Sequence, residues 1–246
     1  MEKNASRIPW IDELRGISIL AMIIHHIAFN LIYFLRLPLP WLSGFLNGDV
    51  FLAVQTVFIA IFLGLSGVCS HFSRHPYKRA AKVLFGASLV TLVTYILYPD
   101  EAIYFGILHF LGISMLFAAV LRKMPRIKKP LLWAAVSLLW FLVMFHLPDG
   151  YLGFGPLSVR LPKALYRGGF LMPLGFASPH SASLDYFPVF PYIFLFLAGF
   201  FLGQLPLPKG RSHAPFLALC GRKSLWIYLL HQPVIFGIFL LLEKIL

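Results

Sequence analysis

The sequence predicts an all-α, polytopic transmembrane helix bundle, and three observations carry that expectation. Of the 246 residues, 59% are hydrophobic and only 12% are charged, about half the charge of an ordinary soluble domain. The mean hydropathy is +0.82. The apolar runs are about 20 residues long and lack the in-out alternation of barrel strands, so helices satisfy the backbone in lipid.

About seven spans are expected, at roughly 16–35, 50–69, 81–98, 102–121, 130–146, 188–205 and 224–243. Turn residues separate them: Pro38 and Pro40, Pro99 with Asp100, Pro125 and Pro130, Pro206 and Pro208. The first run, from Gly16 to about Leu35, exceeds the apolar core of a secretory signal and reads as a retained anchor. The whole of 1–246 is expected to form a single domain.

Charge placement gives direction. Lys3, Arg7 and Arg15 precede or open the first span, and Arg74, Lys78, Arg79 and Lys82 lie between the second and third. Arg122, Lys123, Arg126, Lys128 and Lys129 follow the fourth, and Lys209, Arg211, Arg222 and Lys223 follow the sixth. Sixteen of the 21 basic residues thus fall on one side, leaving Arg36, Arg160, Lys163, Arg167 and Lys244 on the other. That other side also has Asp49, Asp100, Glu101, Asp149, Asp185 and Glu243. The positive-inside rule then puts the N-terminus in the cytoplasm. The same distribution accounts for the net charge of +12 without nucleic acid, since basic loops face anionic lipid.

The longest connection, Leu147 to Phe187, is expected outside. Its apolar stretch after Gly168-Gly169 suggests a re-entrant segment near 165–180 or a lid. Gly64, Gly67, Gly199 and Gly203 suit close helix packing. Cys69 and Cys220 have no metal-ligand spacing and read as small apolar packers. No metal is expected.

Ionisable residues inside spans are costly and mark function. His25 and His26 lie in the first span, His109 in the fourth, and His231 with Gln232 in the seventh. At about 1.5 Å per residue, His26, His231 and His109 lie roughly 15, 12 and 18 Å in from the cytoplasmic side. Such histidines can line one cavity, or each can simply bond a backbone carbonyl or a hydroxyl. His25 and His26 point about 100° apart, so only one can be central. At the cytoplasmic mouth, Asp12 and Arg15 share a helical face and read either as a capping acid with an inside anchor or as a holder of a phosphorylated ligand. Outside, Asp49 and the pair Asp185-Tyr186 read as helix caps or as contacts for an incoming acceptor. Pro233 should bend the last helix beside His231.

The run Asp12-Glu13-Leu14-Arg15-Gly16-Ile17, with His26 after ten further residues, resembles the Arg-x10-His signature of membrane acyltransferases. With Gly106 to Gly112, Asp185-Tyr186-Phe187-Pro188, Gly221 to Leu225 and Tyr228 to Pro233, the chain resembles the heparan-alpha-glucosaminide N-acetyltransferase catalytic-domain family in a short, bacterial-type form. The resemblance implies a multi-pass acetyltransferase of the plasma membrane (the inner membrane, if bacterial). It would take acetyl-CoA as co-substrate from the cytoplasm and acetylate a glycan or amino-sugar acceptor, at a sugar amine or hydroxyl, on the outer face. A homo-oligomer stays open. His26 would be base or acyl relay, with His231 or His109 orienting it or polarising the thioester. Arg15, held by Asp12 and helped by Arg222 and Lys223, would bind CoA phosphates. Asp49, Asp185 and Tyr186 would position the acceptor. The segment 36–49 contains no histidine where the animal enzyme of the family has its proposed catalytic one. From the residues alone, a b-type haem or quinone electron carrier and a small-solute or proton-coupled transporter remain alternatives.

Overall fold

The computed structural model describes residues 8–97, 99–125, 127–178 and 185–243, so Lys3, Arg7, Arg126 and Lys244, used above for direction, lie outside the described residues. Helix dominates, and the chain divides into two compact units, one formed by 1–62 with 207–246 and the other by 63–206.

The first unit is built on α1 (Pro9–Tyr33), with the short α2 (Pro40–Leu46), the first part of α3 (Asp49–His71), α8 (Pro215–Arg222) and α9 (Ser224–Glu243). Proline at the first positions of α1, α2 and α8 starts each helix where a missing N–H costs nothing. Helix α8 falls in a stretch that the hydropathy pattern treats as a connection. It nevertheless makes the most extensive contact with α1. Two glycines permit this. A Cβ on Gly16 would collide with the backbone of Leu217 in α8, and one on Gly221 would collide with the carbonyl of Asp12 in α1. The loop before α8 is fastened down as well. Glu13 accepts hydrogen bonds from Ser212 Oγ (2.6 Å), His213 N (2.7 Å) and Ala214 N (3.0 Å), and Trp10 Nε1 donates to Pro208 O (3.1 Å).

Helices α1 and α9 run in the same direction. Successive contacts pair Arg15 with Ser224, His26 with His231, and Phe34 with Phe236.

The second unit contains the rest of α3, α4 (Pro76–Leu97), α5 (Ile107–Leu121), α6 (Pro130–Met144) and α7 (Val189–Leu202). Helix α4 packs on α5, and α6 on α7. The small residues lie where backbones meet: Gly67 abuts the backbone of Phe196, and Gly199 that of Gly64. Arg122, from the basic run after α5, donates to the carbonyls of Ser70 (3.3 Å) and Ser73 (2.6 Å) at the end of α3, where a cation is favoured. Lys123 lies over the ring of Tyr77.

The connection 147–187 has its own order. A two-residue antiparallel pair, β1 (Tyr151–Leu152) with β2 (Val159–Arg160), is followed by short 3-10 turns, the longest Gly169–Leu174. Tyr166 donates to Leu147 O (2.5 Å) and Tyr186 to Met172 O (2.6 Å). Burial, with Tyr166 and Tyr192 nearby, pushes the Tyr186 phenol up, so it stays a neutral donor. Within the expected re-entrant stretch 165–180, residues 179 and 180 lie outside those described.

Among the described residues, three helices, α1, α3 and α4, are long and apolar enough to cross a membrane. Helices α5, α6, α7 and residues 224–239 of α9 are apolar but shorter. The difference from the expected boundaries has local causes. Residues 99–101 form a 3-10 turn and Gly106 is extended, so α5 begins at Ile107 rather than near 102. Helix α7 is interrupted near its start at Phe190, which has non-helical angles. Large apolar side chains such as Ile24, Val57, Phe85, Ile96, Leu131 and Leu142 are exposed, a surface suited to lipid rather than water.

Gly16→Ala should force α1 and α8 apart and destabilise the protein by about 1–3 kcal/mol. Gly44→Ala, where a Cβ meets nothing within 4 Å, should not. Thermal unfolding of the detergent-solubilised variants measures both.

Candidate functional site

One face of α1 carries the polar groups of the first unit. Arg15, His26 and Asn30 recur at intervals of eleven and four, close to whole numbers of 3.6-residue turns, so they form one stripe. Helix α9 meets it. Arg15 Nη2 donates to Ser224 Oγ (2.6 Å), and Ser224 is buried in the first turn of α9. About 16 Å further along α1, the rings of His26 and His231 lie with centroids 4.9 Å apart, inclined at 50°.

Two amides complete this cluster. Asn30 Nδ2 donates to Gln232 Oε1 (3.2 Å), and Gln232 Nε2 lies 2.9 Å from His26 Nδ1. The chain Asn30–Gln232–His26 therefore runs donor to acceptor into the imidazole. His231 is anchored differently. Its Nδ1 lies 2.5 Å from the carbonyl oxygen of Tyr228, one turn back on α9. Its Nε2 is buried and has no hydrogen-bond partner among the described residues. His25 faces away, stacked on Phe51 (5.4 Å) with Nε2 3.4 Å from Gln55 in α3. Of the two adjacent histidines, His26 is the one turned to α9.

Around the opening of α1, Asp12 lies in the first turn, where a carboxylate complements the helix N-terminus. Arg222 and Lys223 are exposed at the end of α8. Asp49 is exposed in the first turn of α3.

His109, Asp185 and Tyr186 belong to the second unit. His109 has work for both ring nitrogens. Gly106 N–H donates to Nδ1 (3.3 Å), closing the N-terminus of α5, and Nε2 lies 3.4 Å from Thr91 Oγ1. Thr91 itself donates to Ile103 O (2.6 Å), leaving its oxygen to accept from the ring. Asp185 Oδ2 accepts from Ile107 N (3.4 Å), and Phe187 N donates to Phe105 O (3.0 Å). Asp185 thus caps α5 rather than the helix that follows it. A Cβ at Gly106 would crowd the Asp185 carboxylate and displace it from this position.

Asn30 and Thr91 were not singled out from the sequence, while Glu13 and Ser224 stood in its motif runs without a role of their own. Asn30 could have been found, as it lies four residues beyond His26 on the same face. Among the described residues, no group of three or more His, Cys, Asp or Glu is placed to hold a metal ion, and neither cysteine is in a disulfide.

No curated protein and no solved structure matches the chain. A family sequence profile described as "Heparan-alpha-glucosaminide N-acetyltransferase, catalytic" matches residues 7–233, nearly its full length. That match takes in both the stripe on α1 and the Tyr228-to-Gln232 stretch that meets it, and its description is that of an acetyltransferase; the apolar helices place it in a membrane. The chain belongs to the heparan-alpha-glucosaminide N-acetyltransferase catalytic family.

Proposed function

We propose that this chain is a single-domain, multi-pass enzyme of the plasma membrane. It would move an acetyl group from cytoplasmic acetyl-CoA to a sugar amine or hydroxyl at the outer face. Family membership supports the acetyl chemistry. The observation that carries the site is the His26–His231 pair, two imidazoles in contact on helices also joined by the Arg15–Ser224 bond. A thioester and an amine or hydroxyl react when a base takes the acceptor proton and a donor meets the charge developing on the carbonyl oxygen. Two adjacent imidazoles provide one group for each task. His109, bonded through both nitrogens, supports α5 in this reading.

Arg222 and Lys223, with Arg15 and Asp12 behind them, form the CoA end of the path. A guanidinium fork and an ammonium at the exposed end of α8 suit phosphate groups. Asp49 is proposed to contact the acceptor in the first unit, and Asp185 with Tyr186 carry a separate proposal for that role in the second. The orientation follows the basic loops: N-terminus inside, about seven crossings, with the shorter helices α5, α6, α7 and α9 completing the count.

Four outcomes test this. Purified wild-type protein should release CoA from acetyl-CoA in the presence of an amino-sugar acceptor. His26→Ala and His231→Ala should each lower that rate by about a hundredfold or more. Substituting both Arg222 and Lys223 by Ala should raise KM for acetyl-CoA about tenfold with little change in kcat, the loss of roughly one charge-assisted hydrogen bond. For direction, single cysteines placed at Lys128 and at Lys163 in a cysteine-free background should label from opposite sides. An impermeant maleimide added to intact cells should reach only the one at Lys163.

A further inference from the structure

The two imidazoles are not equivalent, and their partners fix which nitrogen of each bears a proton. A backbone carbonyl can only accept. The contact of His231 Nδ1 with Tyr228 O therefore requires Nδ1–H, which leaves the lone pair of a neutral ring on Nε2. That atom is the buried one without a partner among the described residues. At His26 the relation is reversed. Asn30 donates to Gln232 Oε1, which turns the Gln232 amino group toward His26. Nδ1 of His26 then accepts, and the proton of the neutral ring resides on Nε2. One ring thus offers a lone pair and its neighbour a hydrogen, with centroids 4.9 Å apart.

We propose that His231 Nε2 is the catalytic base, that His26 Nε2–H is the donor to the carbonyl oxygen, and that Asn30 and Gln232 are positioning residues that set the His26 tautomer. The assignment rests on the acetyl-transfer reading above. The acceptor amine or hydroxyl attacks the thioester carbon, forming the new N–C or O–C bond. His231 Nε2 takes the acceptor's proton while His26 Nε2–H bonds the oxyanion. The C–S bond then breaks, the electron pair leaves with sulfur, and the proton on His231 passes to the thiolate to give CoA thiol. Both histidines end as they began, and no oxidant, reductant or metal is needed for the balance.

The full chain in detergent, labelled with 15N-histidine, tests the tautomers without reference to activity. The expected spectrum has His231 as the Nδ1–H form and His26 as the Nε2–H form, assigned from His231→Gln and His26→Gln samples. Gln232→Glu places a carboxyl oxygen against His26 Nδ1, and Asn30→Asp makes Gln232 turn its amino group toward residue 30. In whichever of the two is monodisperse, His26 should switch to Nδ1–H. In kinetics, His26→Gln keeps an N–H donor and should retain at least about tenfold more kcat than His231→Gln, which cannot take a proton. His26 found as Nδ1–H in the wild type, or His231→Gln retaining more activity than His26→Gln, would overturn the assignment. Wild-type protein that releases no CoA with any amino-sugar acceptor would instead overturn the acetyl-transfer reading, while the tautomers could still be as described.

Discussion

A polar side chain in hydrocarbon must be met by another, and in the first unit the face of α1 sets where each meeting takes place. Glu13 gathers Ser212 Oγ and two backbone N–H groups before α8. Arg15 meets the start of α9. Gly16 leaves room for the α8 backbone between them. Asn30 and His26 then receive Gln232. With the N-terminal end of α9 fixed at Arg15, His231 and Gln232, both about two turns later, are carried along the same face of α1. The acyltransferase-like signature thus has an architectural meaning that comes before any ligand: Glu13, Arg15 and Gly16 within it dock the C-terminal part of the chain.

This explains why some features could be read from the sequence and others not. Spans are written in long apolar runs: α3 keeps nearly its expected range, while α1 and α4 start several residues earlier than expected, at Pro9 and Pro76. Helix α8 was not legible, because its eight residues between prolines, glycines and charges fall below the length at which hydropathy separates a helix from a loop. The late start of α5 was hidden for another reason. It depends on His109 and Asp185, 76 residues apart, closing on the same helix end. Residue types and depth were enough to single out His26 and His231. Their contact, and the two amides that orient one of them, depend on which faces turn toward each other, and depth alone does not give that.

The three histidines singled out by depth also have three different surroundings. His109 is bonded at both nitrogens, as a histidine serving the fold would be. His26 is bonded at Nδ1 by a side chain, and His231 at Nδ1 by a backbone carbonyl. Hydrogen-bond partners separate these histidines where burial and composition do not, because the ring's chemistry depends on which nitrogen keeps its lone pair.

The fastening of His231 to Tyr228 has a mechanical side. The imidazole is tied to the helix it grows from, one turn back, and not to a neighbouring helix. Two residues on, Pro233 has no N–H for the carbonyl of Leu229, so the turn that carries His231 lacks one bond of the helical ladder. The tie from the imidazole to Tyr228 O spans that same turn. A side-chain bond thus bridges the helix where its backbone gives one up, and the group placed to react is also a brace for the helix that carries it.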